Sequence, residues 1–266
     1  MSGLRPVTLI TGASAGIGVE LARVFARHGH KLALVARRED RLRALADEIA
    51  ATAVGRPIVI VDDLAKPGAA ARIRAALTEH GAEPQYVVNN AGFGLVGRAD
   101  TRDRAEQLEM IDLNVRTLTE LSLAFVDSLG RHTGGLLNVG SVAGFLPGPG
   151  SAVYYATKAF VLSFTEALHS ELAASGVKVT VLCPGLVPTE FAARAGAKGK
   201  MAPDFLVQTA QTVAEAGYHG LMRGQRTVVP GLGNKLITLA VRFVPRRRLL
   251  RAVGARQSRR QAAPQA

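Results

Sequence analysis

The strongest constraint on the fold is the regular alternation of short apolar runs with longer helical patterns. Seven runs rich in β-branched residues recur along the chain, at residues 7–10, 31–36, 58–61, 86–88, 136–139, 177–182 and 226–229. Patterns of helical period separate most of them, including long ones at 104–129 and 154–174. Strands that alternate with helices indicate βαβ units. The sequence therefore predicts an α/β fold with a doubly wound, mostly parallel seven-stranded sheet and helices on both faces.

A glycine-rich segment follows the first predicted strand. Residues 11–18 read Thr-Gly-Ala-Ser-Ala-Gly-Ile-Gly and open a helical pattern. Glycines allow the backbone to approach a phosphate closely, and a helix N-terminus presents free N–H groups and a partial positive charge. A glycine-rich turn alone is a weak signal, but its place at the first strand–helix junction favours a dinucleotide site.

The second predicted strand ends in Arg37 and Arg38. An acidic residue at this place would bind the ribose hydroxyls of NAD, whereas arginine suits the 2′-phosphate of NADP. The alternative is that both arginines simply open a solvated helix at residues 39–53. We favour the phosphate role, because the guanidinium matches phosphate geometry.

Tyr154 and Lys158 lie four residues apart in a predicted helix, so they share one face. A nearby positive charge stabilises a phenolate and lowers its pKa from about 10. Ser141 ends the fifth strand, thirteen residues before the tyrosine. A tyrosine–lysine pair at this spacing also occurs by chance on solvated helices, so the pair alone does not establish a catalytic site.

Taken together, the motifs resemble the short-chain dehydrogenase/reductase family, in its compact single-domain branch. The shared motifs are Thr-Gly-x-x-x-Gly-x-Gly at 11–18, Asn-Asn-Ala-Gly at 89–92, Tyr-x-x-x-Lys at 154–158, and Pro184-Gly185 followed by Thr189. The resemblance covers about residues 5–230 and implies a Rossmann fold. We expect this Rossmann oxidoreductase domain to span residues 1–230, with a basic helical extension and tail at 231–266.

The resemblance also implies roles for individual residues. Tyr154 would be the general acid in reduction and the base in oxidation, Lys158 would lower its pKa, and Ser141 would orient the substrate carbonyl. Asn114 would hold a water in the proton relay. Cofactor contacts would come from Gly12, Ser14, Gly16, Ile17, Gly18, Arg37, Arg38, Asp63, Asn90, Tyr154, Lys158, Pro184, Gly185 and Thr189.

Within those contacts, the three turn glycines would face the pyrophosphate. Asp63 would contact the adenine, Asn90 the adenosine side and Thr189 the carboxamide. Many NADP-preferring members carry a basic residue before the second glycine of the turn, where this chain has Ala15. NADP(H) is therefore the expected cofactor on the strength of Arg37 and Arg38 alone, with NAD(H) use left open. Tyr155 is rejected as the catalytic tyrosine, because Ala159 stands four residues after it.

Two functions fit these motifs. The first is an NADP(H)-dependent oxidoreductase that interconverts a carbonyl and an alcohol on a small, apolar substrate. The second is a nucleotide-binding sensor or scaffold of the same fold with little catalysis. The complete set of Asn114, Ser141, Tyr154 and Lys158 favours the enzyme. The family also implies a homodimer or homotetramer.

Composition limits the cellular compartments in which we expect the protein. A single cysteine, Cys183, excludes an internal disulfide framework and fits a reducing compartment. We identify no signal peptide and no apolar stretch of about 20 residues. The expected location is the cytoplasm. Cys183 itself is expected to be a buried hydrophobe, and the six histidines show no paired spacing typical of a metal site.

The net charge of +12 is concentrated at the C-terminus, because residues 216–266 hold 11 Lys and Arg and no acid. An apolar segment at 232–244 precedes seven arginines. This segment either covers the substrate pocket or an oligomer contact, or it lies peripherally on a membrane. Nucleic acid is not an expected partner, since no recognised module accompanies the charge. Residues 188–203 are expected to be either a lid over the substrate or an ordinary surface excursion.

Overall fold

A computed structural model describes residues 3–51, 55–196 and 203–262, with side chains through residue 255. Seven parallel strands form one sheet in the order β3-β2-β1-β4-β5-β6-β7. The strands are β1 Arg5–Thr11, β2 Leu32–Ala36, β3 Ile58–Val61, β4 Ala82–Asn89, β5 Gly135–Val139, β6 Lys178–Leu182 and β7 Thr227–Val228. The predicted doubly wound α/β fold is confirmed, and every strand pair is parallel.

Helices connect the strands and cover both faces of the sheet. They are α1 Gly16–Arg27, α2 Glu39–Ala50, α3 Ala69–Glu79, α4 Arg104–Ile111, α5 Leu118–Ala124, α6 Val126–Arg131, α7 Ala152–Glu171, α8 Glu190–Arg194, α9 Ala210–Met222, α10 Leu232–Ala240 and α11 Arg246–Ala262. Within the described part of the chain, none of these helices combines the length and apolarity needed to span a bilayer.

Alternation along each strand builds two cores. Ile10 packs with Phe25 on one face of the sheet, whereas its neighbour Leu9 packs with Phe125 on the other. Because successive strand side chains point to opposite faces, one apolar run supplies both cores. The continuous apolar character of β1 therefore reflects burial on both sides.

The strand order reverses at β1, which places a crevice at that point. Leu9 pairs with Ala33 of β2 on one side and with Val87 of β4 on the other. The chain thus winds outward in both directions from β1. In such sheets, ligands bind outside the carboxyl ends of the strands where the order reverses.

Two elements differ from the sequence prediction. The single helix expected at 104–129 is divided into α4, a π-helical segment at Asp112–Thr117, α5 and α6, with a break at Phe125. β4 begins four residues earlier than the predicted 86–88. Pro84 hid this start, because proline lacks an N–H, and the β1–β4 register shifts beside its partner Val7.

Candidate active site

A cavity of about 720 Å³ lies at the carboxyl ends of the strands. Its walls contain most of the residues predicted from the sequence, namely Gly12, Ser14, Gly16, Ile17, Arg37, Arg38, Asp63, Asn90, Ser141, Tyr154, Lys158, Pro184, Gly185 and Thr189. Gly18 and Asn114 are not in the cavity wall. The fold thus brings together side chains from distant parts of the chain.

The glycine-rich turn requires glycine at two positions that line the cavity. Gly12 has φ +67° and Gly16 has φ +55°, both in the left-handed region that favours glycine. A Cβ on Gly12 would also lie 2.8 Å from Asn90 Nδ2 and 2.9 Å from the Ala91 Cα. The turn therefore leads into the N-terminus of α1 with its backbone open to the cavity.

Gly18 has a packing role and does not face the cavity as expected. A Cβ there would come within 2.2 Å of the Gly12 carbonyl oxygen and 2.6 Å of Asn90 Nδ2. Its glycine is needed for close contact between α1 and the turn. The sequence pattern could not distinguish a glycine that faces a ligand from one that lies behind the turn.

Asn90 fixes the turn to the end of β4. Its Nδ2 donates to the carbonyls of Thr11 at 2.9 Å and Gly12 at 3.3 Å, and its backbone N–H donates to the Thr11 hydroxyl at 3.0 Å. The amide N–H groups are thus used inside the protein. On the same side of the cavity, Asp63 accepts from the Ala65 N–H at 3.2 Å.

Ser141 lies where β5 meets β6. Its backbone is extended, and its hydroxyl accepts from the Ala143 N–H at 3.1 Å, which caps a short 3₁₀ turn. The neighbouring Val142 N–H donates to the Pro184 carbonyl at 3.0 Å. Cys183 is fully buried behind this junction, and burial raises the pKa of its thiol to about 12. A thiol in that state fits the expected role of a small hydrophobe.

Tyr154 projects from the first turn of α7 into the cavity. Its ring centroid lies 5.7 Å from that of Phe191, and a Cβ on Gly94 would touch the ring at 3.1 Å. Desolvation raises the pKa of the phenol to about 12, although hydrogen bonding to Ser141 acts in the opposite direction. The direction is thus opposite to the lowering that Lys158 alone would cause, because burial outweighs the stabilising contacts.

Lys158 is buried one turn further along the same helical face. Its Nζ donates to the Val139 carbonyl at 2.8 Å, and only 6% of the residue is exposed. Burial lowers the pKa of its ammonium to about 8, because the charged form loses hydration. An ammonium with a lowered pKa thus forms part of the cavity wall.

Asn114 lies in the π-helical segment, buried behind the cavity wall. Its amide oxygen accepts from the Phe93 N–H at 3.1 Å, and its Nδ2 donates to the Phe93 carbonyl at 2.9 Å and to the Thr157 hydroxyl at 3.2 Å. The side chain thus ties the loop after β4 to α7, which carries Tyr154 and Lys158. Its predicted contact with a relay water stays a prediction.

Arg38 reaches from the end of β2 across the mouth of the cavity. Its Nη1 donates to Glu190 of α8 at 2.8 Å, and its Nε and Nη2 donate to the Ser14 hydroxyl and carbonyl at 3.3 and 3.1 Å. Arg41 donates to the other Glu190 oxygen at 2.5 Å. The two arginines hold the pKa of the Glu190 carboxyl down at about 2. Arg37 lies 3.8 Å from Glu109.

Comparison with known proteins decides the family. The sequence profile described as short chain dehydrogenase matches residues 6–200. The chain belongs to the short-chain dehydrogenase family. It is an oxidoreductase of the NAD(P)-dependent class that acts on CH–OH groups.

Named relatives of this short-chain dehydrogenase share most of its length. Sulfoacetaldehyde reductase 2 of Chromohalobacter salexigens is 40% identical over 188 residues, which cover 70% of this chain and 74% of the relative. An NADP-dependent 3-hydroxy acid dehydrogenase of Salmonella typhi is 37% identical with the same coverage. A short-chain dehydrogenase from Sphingobium yanoikuyae in complex with NADPH has a TM-score of 0.78 at 33% identity, covering 98% of this chain and 97% of that one.

Part of the cavity wall lies outside the family profile. Beyond residue 200, Leu206, Asn234, Ile237 and Val253 line the cavity. Asn234 packs against Gly185, where a Cβ would lie 2.5 Å from its Nδ2, and donates to the Pro230 carbonyl at 3.0 Å. α10 and α11 of this short-chain dehydrogenase therefore contribute to the cavity wall.

Sequence reasoning missed two cavity residues on α8, Glu190 and Arg194. Their i, i+4 spacing directly after Thr189 was the available signal, since it places both on one helical face. The Arg194 guanidinium lies 4.6 Å from the centroid of the Phe93 ring. Residues 188–196 thus form a helical cover on the cavity rather than a surface excursion. The rest of the predicted lid, 197–202, lies outside the described residues.

A histidine cluster also escaped the sequence analysis, because its members are distant along the chain. His28, Glu215 and His219 place one potential metal ligand each within 4.8 Å of one another. Arg27 donates to Glu215, and the His28 ring stacks on Tyr218 with centroids 4.1 Å apart. The carboxylate is thus already neutralised by an arginine, so we describe the cluster as an ion-pair and stacking contact.

Proposed function

We propose that this short-chain dehydrogenase is an NADP(H)-dependent enzyme that interconverts a carbonyl and an alcohol, with Tyr154 as acid and base. The observation that carries the proposal is one cavity lined by the glycine-rich turn, Arg38, Ser141, Tyr154 and Lys158. A binding module would need the turn and the arginine, but it would not need a phenol and a buried ammonium on one helical face. The arrangement therefore favours catalysis over a sensor or scaffold.

The cofactor assignment is supported by the shape and charge of the turn. Gly12 and Gly16 line the cavity, and their positive φ values set a turn whose backbone can lie against a pyrophosphate. Arg37 and Arg38 lie at the mouth and supply guanidinium groups suited to a 2′-phosphate. NADP(H), when bound, would supply or accept the hydride. Relatives named as NADP-dependent or solved with NADPH agree with this assignment.

The protein's own residues would handle the proton. A phenol with a raised pKa is protonated at neutral pH, so Tyr154 can donate to a developing alkoxide. Ser141, at the junction of β5 and β6, would hold the substrate oxygen beside the tyrosine. The charge on Lys158 would stabilise the phenolate that forms after donation. In oxidation the same groups act in reverse, with Tyr154 as the base.

The substrate half of the cavity supports an apolar substrate. Its wall is mostly aliphatic and aromatic, with contributions from Leu95, Val96, Leu146, Leu186, Phe191, Leu206, Ile237 and Val253. Apolar pockets of this kind gain most of their affinity from burial of ligand surface. We propose that the enzyme acts on apolar ketones or secondary alcohols. The relatives named for sulfoacetaldehyde or 3-hydroxy acids align over 70 to 79% of this chain.

A matched pair of variants tests the catalytic assignment. Tyr154→Phe removes the transferable proton and should lower kcat/KM roughly a hundred- to ten-thousandfold, the usual share of general acid catalysis. NADPH affinity, measured by nicotinamide fluorescence, should be unchanged. Tyr155→Phe removes a hydroxyl from the neighbouring cavity residue and should retain activity of the wild-type order.

Two outcomes would contradict the proposal. Equal loss of activity in both variants would show that the effect is not specific to the Tyr154 hydroxyl. Tight NADPH binding with no turnover by the wild type, across a panel of aliphatic, aromatic and polycyclic ketones and alcohols, would favour the sensor or scaffold. Measuring the panel with both NADPH and NADH would also test cofactor preference.

A further inference from the structure

Helix α10 is reversed with respect to the usual pattern of a surface helix. The buried side is polar, since Asn234 and Thr238 are 3% and 6% exposed. Three leucines on the opposite side are largely exposed, with Leu232 at 78%, Leu236 at 66% and Leu239 at 53%. A surface helix normally buries its apolar stripe and exposes its polar face. The outward face of α10 therefore exposes apolar side chains that a surface helix would normally bury.

Neighbouring side chains extend this apolar face. Leu232, Leu236, Leu239 and Phe243 follow a spacing of four, three and four residues, so they form one stripe along the helix and the turn after it. Phe243 is 81% exposed. Phe205, which is 68% exposed, packs beside α10, because a Cβ on Gly233 would lie 2.9 Å from its ring. We call this set the α10 apolar face.

Basic residues flank the α10 apolar face. Arg242, Arg246, Arg247, Arg248 and Arg251 are all exposed and follow directly in the chain. Residues 216–266 contain no acidic residue at all. An apolar stripe beside a band of arginines matches the boundary of a membrane, where acyl chains lie beneath phosphate headgroups.

We propose that the α10 apolar face and its arginines dock this protein on an anionic lipid surface. The charge distribution favours this occupant over a second copy of the chain. A two-fold contact through the same face would pair two segments that contain no acidic residue, so neither copy's segment would supply an anion to the other's arginines. Anionic headgroups would supply that anion. The leucines and Phe243 would enter the interface while the arginines contact phosphate.

Vesicle sedimentation of the full chain tests the proposal. The wild type should bind vesicles rich in phosphatidylglycerol and not vesicles of phosphatidylcholine alone, and high salt should weaken the binding. A triple variant with Arg246→Gln, Arg247→Gln and Arg248→Gln should bind up to about a hundredfold more weakly, since each basic residue contributes roughly fivefold. A double variant with Leu236→Ser and Phe243→Ser should lose binding even at low salt.

Leu108→Ser provides the control, because it removes a leucine that is 54% exposed on α4, outside the α10 apolar face. It should bind vesicles like the wild type. All variants should keep the wild-type affinity for NADPH and Tm, since none of these residues lines the cavity.

Three results would overturn the proposal. Failure of the wild type to sediment with anionic vesicles would overturn it directly. Equal binding by the Leu236→Ser, Phe243→Ser variant would leave only a general attraction of charge. A dimer or tetramer in analytical ultracentrifugation that dissociates in that variant, without vesicle binding by the wild type, would assign the α10 apolar face to a second copy.

Discussion

At the scale of single residues, the Lys158 ammonium is a charged group that is buried at a cost in stability. It is almost fully buried and has one fixed hydrogen bond, to the Val139 carbonyl. Burial of a charge without a paired anion destabilises the fold. A side chain retained against stability in this way is typical of a functional site.

The pH dependence of stability gives a direct measure of this cost. The Lys158 pKa is about 8 in the folded protein, against 10.5 for an ordinary lysine. Below pH 8 Lys158 is protonated in both the folded and the unfolded state, so the full cost of burying its charge applies. Between these two values Lys158 binds more protons in the unfolded state, so its own contribution to the free energy of unfolding rises with pH, by up to about 3 kcal/mol in total.

Lys158→Met should therefore abolish turnover and flatten this part of the stability profile. The free energy of unfolding of the variant minus that of the wild type should be largest at pH 7 and should decline toward pH 10.5. Chemical denaturation at several pH values measures this difference. Loss of the hydrogen bond to Val139 changes the free energy of unfolding of the variant by nearly the same amount at every pH. The slope of the free energy of unfolding against pH is therefore the quantity to compare. Lys66→Met, at an exposed lysine, should keep the wild-type slope. A parallel profile for Lys158→Met would show that Lys158 is not the titrating group.

At the scale of elements, the sequence was most informative where one pattern determines one structure. The apolar runs identified every strand, because burial on both faces leaves a continuous hydrophobic signal. The division of 104–129 was not predictable, since the π-helical segment carries Asn114, whose partners Phe93 and Thr157 are 21 and 43 residues away. Local periodicity carries no information on such contacts.

Helix α8 shows that the same limit of sequence-based prediction applies to the candidate active site. Arg38 was predicted from the end of β2, but its contact with Glu190 joins residues 152 positions apart. Glu190 also binds Arg41, so one carboxylate occupies guanidinium groups at the place proposed for the 2′-phosphate. A carboxylate and a phosphate would compete for the same N–H groups.

Glu190→Gln should therefore strengthen binding of the phosphorylated cofactor. We expect the Kd for NADPH and for adenosine 2′,5′-bisphosphate to fall roughly three- to tenfold at low salt, a modest change because the pair is exposed. The Kd for NADH and for ADP should not change. Isothermal titration measures all four without turnover.

Glu39→Gln is the matched control for Glu190→Gln. It removes the same charge from a carboxylate that pairs with Arg43 instead. Its affinities should equal those of the wild type. If Glu190→Gln weakened NADPH binding, Glu190 would instead hold Arg38 in place for the phosphate. Because the Glu190 pKa lies near 2, acidification to pH 5 should not mimic the variant.

At the scale of the whole molecule, the cavity has two parts of different origin. The cofactor side comes from the ends of β1, β2, β4, β5 and β6, within the span that the family profile matches. The far side includes Ile237 and Val253 from α10 and α11, beyond it. We propose that the boundary near residue 230 separates the Rossmann oxidoreductase domain from a C-terminal segment that covers part of the cavity.

A chain ending at Pro230 tests this division. It should still bind NADPH with nearly wild-type affinity, because the glycine-rich turn, Arg38 and Lys158 all remain. Its KM for bulky apolar substrates should rise roughly tenfold, since Ile237 and Val253 no longer bury ligand surface, whereas small carbonyl compounds should be affected little. A chain ending at Pro245 keeps α10 and removes α11, so it should show only the share of the effect due to Val253. Loss of both NADPH binding and the cooperative thermal transition in the shorter chain would show that α10 belongs to the core domain. The hydrogen bond of Asn234 to the Pro230 carbonyl and its packing against Gly185 would then be the structural reason.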